Sequence, residues 1–433
     1  MSHGSLQEKK AIFDQVKKLS NRDGHYPSII TDLAGPKIRI KDVKDDMVLK
    51  TGQNMIIANE QEPDDEKIII SSGFSFGKIS KGGKILINDG RIQLEVSEKI
   101  DPHSLKVKVV IGGKVEKHKG VNFPGVAIDM PPLTSQDVVD LALALDENTD
   151  WVALSFVRSP LDKEVVDAIL EEQGVNVPIM AKIEKWEALE HLEEIINAFD
   201  GVMVARGDLG VEIPQEQVPL VQKRIIEIAN KAGKPVVIAT QLLETMIENQ
   251  IPTRAEISDI ANAILDGTDA LLVTGETAIG KYPEKVIEVL SKVVLETEQT
   301  NDFDNIHQPI ARQQHTADAI SHATCQIAND MDIRVILTLT HSGSTARMIA
   351  RYKPSADIFA LTPIEKTYRQ LSIIWGITPH MINQYSSSDD IPYVSAKFIA
   401  EKDLLNNGEH YVVTGGVPVG VPGTTNFLFV QKA

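Results

Sequence analysis

The sequence predicts an α/β protein built on a parallel sheet, with a small all-β unit inserted near its start and a second α/β unit at its end. Three observations predict it. Between about residues 121 and 298, apolar strand-like runs alternate with helical periods. Between about residues 43 and 120 the texture changes to short β-like runs separated by Gly, Asp and Asn. After the polar stretch TEQTNDFDNIHQP the strand and helix pattern starts again.

Taken in order, Ser5-Leu6-Gln7-Glu8 reads as a capping box, and Ile12, Phe13, Val16 and Leu19 follow at helical spacing, so an amphipathic helix is expected first. PSIITDLAG is the first strand. KIIISSG, KILINDGRIQLEV and SLKVKVVIGG are strands of the insert, with Asp89-Gly90 a hairpin signal. VALSFV, PIMAKI, GVMVARG, PVVIATQ and ALLVTGE then alternate with helical stretches such as PLVQKRIIEIANKAGK and RAEISDIANAILDG. Six βα repeats result, which suit either a doubly wound sheet or a closed (β/α)₈ barrel, and a barrel would be two strands short. VILTLT, IFALT and YVVTGG are the strands expected in the last unit. The expected division is 1–42 with 121–298, then 43–120 as the insert, and 299–433.

Composition narrows the function. The net charge of −17 argues against a general nucleic-acid binder, since phosphate backbones are held by clustered Lys and Arg. Cys325 is the only cysteine, which excludes an intrachain disulfide framework and a thiolate metal cluster and points to a cytoplasmic setting. Neither an apolar run of about 18 residues nor a basic, apolar leader is present, so no membrane association is expected.

Chemistry is suggested where strands end. PIMAKIEKWE closes an apolar run on Lys182-Ile183-Glu184, and strand alternation puts the Lys and Glu side chains on one side. The next run ends on Arg206-Gly207-Asp208, and 208 − 184 = 24 residues span one strand, helix and loop. Two carboxylates on neighbouring strand ends with a Lys beside the first suit a hard divalent cation and an anionic substrate. Solvated ion pairs at the rim are the plainer alternative. Thr240-Gln241 and Thr274-Gly275-Glu276, at further strand ends, favour a polar pocket, although Thr also caps helices.

MAKIEKWEAL, DGVMVARGDLGVEIP, KPVVIATQLLETM, PTRAEISDIANAILDGTDALLVTGETAIGKYP and KGVNFPG together resemble the pyruvate kinase family. The resemblance extends from SHG and DLAGPKIR to SGSTAR and GTTN, over nearly the whole chain. It implies a TIM barrel with an inserted β-barrel lid and a C-terminal α/β domain for regulation and oligomerisation, with phosphoenolpyruvate and ADP or ATP as partners and a phosphorylated effector as a further one. It implies a cytoplasmic homotetramer that requires Mg²⁺ or Mn²⁺ and transfers the phosphoryl group of phosphoenolpyruvate to ADP, the last step of glycolysis.

Carried over by position, the resemblance makes Glu184 and Asp208 the metal ligands. Lys182 would stabilise charge on the phosphoryl group and the enolate. The Gly207 and Asp208 N–H groups with the Thr240 hydroxyl would take the substrate carboxylate, Thr240 lying near the enolate face that is protonated. Arg39 would face the transferred phosphoryl, with His3, Arg39 and Lys119 toward the nucleotide. Where many relatives read Asp-Thr-Lys-Gly-Pro-Glu, this chain reads Asp32-Leu33-Ala34-Gly35-Pro36-Lys37. Ser2, Asp32, Leu33 and Lys37 are then remnants of a monovalent-cation site. A fixed ammonium at Lys37 can replace the charge of K⁺, so turnover without added potassium is expected.

The resemblance also accounts for the strand count, because SHG follows the second barrel strand in relatives. The first βα unit, the second strand and a short motif carrying an Arg and an Asn are expected to be missing from the barrel. In TLTHSGSTAR, the residues Thr340, Ser342, Gly343, Ser344 and Thr345 are similar to the effector loop of sugar-phosphate-regulated relatives, and a helix cap rich in Ser and Thr is the alternative. Two other functional readings compete with an active kinase. One is a truncated, inactive relative that survives as an effector-binding or partner subunit. The other is a metal-dependent barrel lyase, which the Thr-Gln, Pro-Thr-Arg-Ala-Glu and Gly-Glu-Thr set disfavours.

Overall fold

The computed structural model describes residues 1, 3–23, 26–45, 47–59, 64, 66–71, 73–300, 315–385, 387–421 and 423–433. The predicted first helix runs Leu6–Asp23, and the Ser5 and Glu8 side chains each accept from the other's backbone N–H as a capping box requires.

Six parallel strands form a curled sheet in the order Ile30–Asp32, Trp151–Leu154, Ile179–Ile183, Gly201–Ala205, Val236–Ala239 and Ala270–Leu272. The order follows the chain, with a helical crossover after each strand from Trp151–Leu154 on. This is the wall of a (β/α) barrel with six strands, open between Ile30–Asp32 and Ala270–Leu272. Strand alternation sorts its side chains. Val152, Leu154, Ile179, Ala181, Ile183, Val202 and Val204 pack outward under the helices. Ala153, Met180, Met203, Val237 and Ala239 form a second cluster on the opposite face.

The insert is a seven-stranded, mostly antiparallel sheet that curls nearly closed around Ile57, Ile68, Ile85, Leu94 and Val107. Its edges are Ile40–Val43 and Val121–Asn122, the stretches by which the chain enters and leaves the barrel. Strands Lys84–Ile87 and Ile92–Asp101 form the predicted hairpin, with Asn88, Asp89 and Gly90 all at positive φ.

The last unit is a five-stranded sheet. Ile377–Met381, Asp357–Thr362, Val335–Leu339 and His410–Gly416 are parallel, and Thr425–Lys432 is antiparallel at the edge. It seals the barrel end away from the charged strand tips. Ile373 packs against the inner barrel cluster, and the Trp151 indole donates to the Gln370 carbonyl at 3.3 Å. Lys353, 5% exposed, pairs with Asp269 at 3.2 Å and lies 4.6 Å over the Trp375 ring. A buried pair that loses one member leaves the other uncompensated. Lys353→Met is therefore expected to cost about 3 kcal/mol, read as a lower midpoint in chemical denaturation.

No helix among the described residues is long and apolar enough to cross a membrane.

Candidate functional site

The charged residues read from strand ends converge at the C-terminal mouth of the parallel sheet. Lys182 and Glu184 lie on one side, as alternation requires, with Nζ 3.1 Å from Oε1. Lys182 Nζ also donates to Asp32 Oδ1 at 3.0 Å and to Ser155 Oγ at 2.9 Å, so three strand tips meet on one ammonium. Lys37, which enters from the segment leading into the β insert, pairs with Asp208 Oδ1 at 2.6 Å and lies 5.8 Å over the Phe156 ring. A Cβ on Gly120 would stand 3.0 Å from Lys37 Cε, so the insert's exit strand passes directly over that side chain.

Burial sets the electrostatics. Glu184 is 1% exposed and accepts from the Phe156 N–H at 2.8 Å. Burial pushes its carboxyl up to about 7; Lys182 opposes the rise, and the nearby Asp208 adds to it. Burial alone would lower the Lys182 pKa, but the Glu184 and Asp32 carboxylates override it and hold the ammonium well above the ordinary lysine value. Three carboxylates, Asp32, Glu184 and Asp208, meet the Lys37 and Lys182 ammoniums here, and carboxylates supply the hard oxygen donors that suit a divalent cation.

The described residues hold no group of three or more His, Cys, Asp or Glu able to bind a metal. Two carboxylates completed by water and substrate oxygens are the usual ligand set of Mg²⁺, which binds through one or two carboxylates and substrate phosphates.

The next strand tip is strained. Thr240 and Gln241 have φ of 67° and 54°, costly for a β-branched residue. Arg206 holds them there. Its Nη2 donates to the Thr240 and Gln241 carbonyls at 3.0 and 2.9 Å, and its Nη1 is anchored on Asp259 at 2.6 Å. The turn brings Thr240 Oγ1 within 2.9 Å of the Gly207 N–H, at the start of helix Arg206–Glu212.

Other sequence-predicted positions lie apart. The Leu33 side chain is fully buried in the barrel core, and its carbonyl accepts from Ser155 Oγ at 2.7 Å. Arg39 donates to the His118 carbonyl at 3.0 Å, and Lys119 pairs with Glu116 at 3.6 Å on the insert. His3 is exposed, and Ser2 lies outside the described residues. Glu276 is 1% exposed and accepts from the Leu243 and Thr274 N–H groups, tying two loops together.

Ser155 was not singled out from the sequence, although VALSFV ends on it at a strand tip. Nor was Glu212, whose buried carboxylate takes Lys185 at 2.8 Å and Asn122 at 2.9 Å, joining insert to barrel. In the last unit, Gly343 at φ 77° precedes helix Ser344–Ala350 with no side-chain cap, so the hydroxyls there are not ordinary caps. Thr345 and Thr425 hydrogen-bond to each other at 2.7 Å.

Family comparison matches this arrangement. Residues 1–287 match the family model described as pyruvate kinase, barrel domain, and residues 318–431 match pyruvate kinase, alpha/beta domain. The chain belongs to the pyruvate kinase family. It is 40% identical over 436 residues to the pyruvate kinase of Staphylococcus aureus (strain MRSA252), covering 99% of this chain and 74% of the relative. The pyruvate kinase of Staphylococcus epidermidis (strain RP62A) is 39% identical over 435 residues with the same coverage. Pyruvate kinases are phosphotransferases, and membership of the family makes this chain one.

Proposed function

We propose that this chain transfers the phosphoryl group of phosphoenolpyruvate to ADP, giving pyruvate and ATP. The observation that carries the reading is the Lys182 ammonium, held protonated between Glu184 and Asp32 beside a second carboxylate, Asp208. In-line phosphoryl transfer asks for positioning and charge stabilisation more than covalent chemistry.

Glu184 and Asp208 would hold Mg²⁺, which when bound neutralises charge on substrate carboxylate and phosphoryl oxygens. Lys182 supplies a fixed positive charge for the phosphoryl group in flight and for the enolate that departs from it. The Gly207 N–H now donates to the Thr240 hydroxyl, whose own proton goes to the Ala239 carbonyl at 2.6 Å, and a docking carboxylate would take both donors in their place. Arg206, by pinning Thr240, positions this donor pair. Thr240 then stands where the enolate is protonated. Lys119 sits on the insert and Arg39 at its base, so closure of the insert over the barrel mouth would bring them toward the nucleotide and exclude water. The homotetramer and cytoplasmic location of relatives are part of the same reading, as is the loop Thr340–Thr345 as an effector contact.

Lys37 carries the monovalent-cation role. Its ammonium points into the site and pairs with Asp208, where a surface replacement would face solvent. Mg²⁺-dependent ATP formation from phosphoenolpyruvate and ADP tests the reaction. Turnover is expected to be equal in K⁺ and in a tetraalkylammonium salt. Lys37→Gln is expected to lower kcat/KM by about tenfold to a hundredfold in the K⁺-free salt, the scale of one lost charge-assisted contact.

A further inference from the structure

The insert is attached to the barrel by two stretches of chain that bond to each other. Residues 38–40 enter it and residues 119–121 leave it, with the Val121 N–H donating to the Ile38 carbonyl at 2.9 Å and the Ile40 N–H to the Lys119 carbonyl at 2.8 Å. A two-stranded ribbon is marginal on its own. The direction in which the insert points is therefore set by contacts beside the ribbon.

Two such contacts come from one helix, Arg206–Glu212. Lys37, just before the entering strand, pairs with Asp208 at 2.6 Å, and Asn122, just after the leaving strand, donates to Glu212 Oε1 at 2.9 Å. Positions 208 and 212 lie one turn apart on the same helix face. Asp208 belongs to the charged cluster at the strand tips, so its contacts change with what occupies the site. Glu212 is held separately: its side chain is fully buried and takes Lys185 Nζ at 2.8 Å. Lys185 follows directly on the strand tip Lys182-Ile183-Glu184, so Glu212 joins that tip, the Asp208 helix and the insert.

The carboxylate is used unevenly. Oε1 takes both donors, while Oε2 is buried with no hydrogen-bond partner. An idle buried acceptor costs stability. Here it gives the Asn122 amide a second oxygen to bond when the leaving strand shifts. A space of about 50 Å³ beside it, walled by Pro36, Ile38, Phe123, Met130 and Phe156, leaves room for such a shift. Asn122 is paired with Leu86 in the insert's sheet, so whatever moves Asn122 moves the sheet.

We propose that Glu212 is a positioning residue: through Asn122 it sets where the insert stands over the barrel mouth, in register with Asp208 on the same helix. The inference rests on the phosphoryl-transfer reading, because register matters when groups on the insert must meet a substrate held by the barrel.

The test places spin labels at Lys81→Cys on the insert and Glu172→Cys on the barrel of the full chain and reads their separation by pulsed EPR; Cys325 is buried. Asn122→Ala leaves the Glu212–Lys185 pair in place and is expected to shift the balance between docked and displaced insert about tenfold toward the displaced, the effect of losing one hydrogen bond to a charged acceptor. The double variant Lys185→Met with Glu212→Met exchanges the buried pair for apolar side chains and should shift the balance the same way. In Asn122→Ala, kcat is expected to fall by up to about tenfold, while the Mg²⁺-dependent Kd for phosphoenolpyruvate stays unchanged. Unchanged distances in either variant, from protein whose thermal midpoint shows it folded, would overturn the proposal, as would phosphoenolpyruvate binding that weakens in step with kcat. Absence of turnover in the parent chain would sink the phosphoryl-transfer reading by itself, and the distances would still decide whether Glu212 sets the insert.

Discussion

Replacing Lys182 by Met is expected to lower kcat by about a thousandfold, with kcat/KM for phosphoenolpyruvate falling by a similar factor. A preorganised donor aimed at developing charge typically contributes about 10²–10³ in rate. Lys182 is such a donor: 12% of its side chain is exposed, and its Nζ is fixed by Asp32, Ser155 and Glu184 at 3.0, 2.9 and 3.1 Å. No other Lys or Arg among the described residues pairs with both Asp32 and Glu184. Parallel falls in kcat and kcat/KM report loss of an interaction made in the transition state. A rise in KM with kcat intact would instead make Lys182 a residue of ground-state binding.

Glu184→Gln is expected to raise the Mg²⁺ concentration needed for half-maximal activity by at least about a hundredfold, since even supporting residues of metal sites cost 10–100-fold. The pH profile gives a second readout. The ordinary Glu value of 4.5 is raised to about 7 in the folded, metal-free chain, so near neutral pH metal and proton compete for the carboxylate. Half-saturating Mg²⁺ should therefore rise as pH falls below about 7, and this rise should vanish in Glu184→Gln.

The same shift fixes a stability trend. Between pH 4.5 and about 7 the folded chain binds a proton that the unfolded chain has released. The metal-free protein therefore loses stability as pH rises through that window, and Mg²⁺ should restore it. Titrations of Mg²⁺ against intrinsic stability across pH 6–8 would show both effects.

Much of this was legible in the sequence because period-2 alternation is a strong local signal. It placed Lys182 and Glu184 on one side of a strand tip, and the structure puts them 3.1 Å apart. The alternating βα texture likewise gave the six parallel strands. Two strands of the last sheet were not anticipated. Ile377–Met381 contains Pro379, which an edge strand tolerates and a central one does not. Thr425–Lys432, the other edge, follows a Gly- and Pro-rich loop that reads as a chain end.

At the site, sequence reasoning named carboxylates and missed what holds them. Ser155 is an ordinary residue at the end of VALSFV until folding brings Lys182 to it. Arg206 looked like a rim charge, yet its work is on carbonyls 34 and 35 residues away. Glu276 sat at a strand end like Glu184 and is consumed by backbone N–H groups. Which carboxylate keeps an oxygen for a ligand depends on loop conformation, and no spacing rule encodes that.

The most direct test of the account is the rate of ATP formation by this chain from phosphoenolpyruvate and ADP with Mg²⁺, with and without K⁺. The account predicts turnover that requires Mg²⁺ and is indifferent to K⁺. Absence of turnover in both salts, from a folded protein that still binds phosphoenolpyruvate in the presence of Mg²⁺, would contradict it.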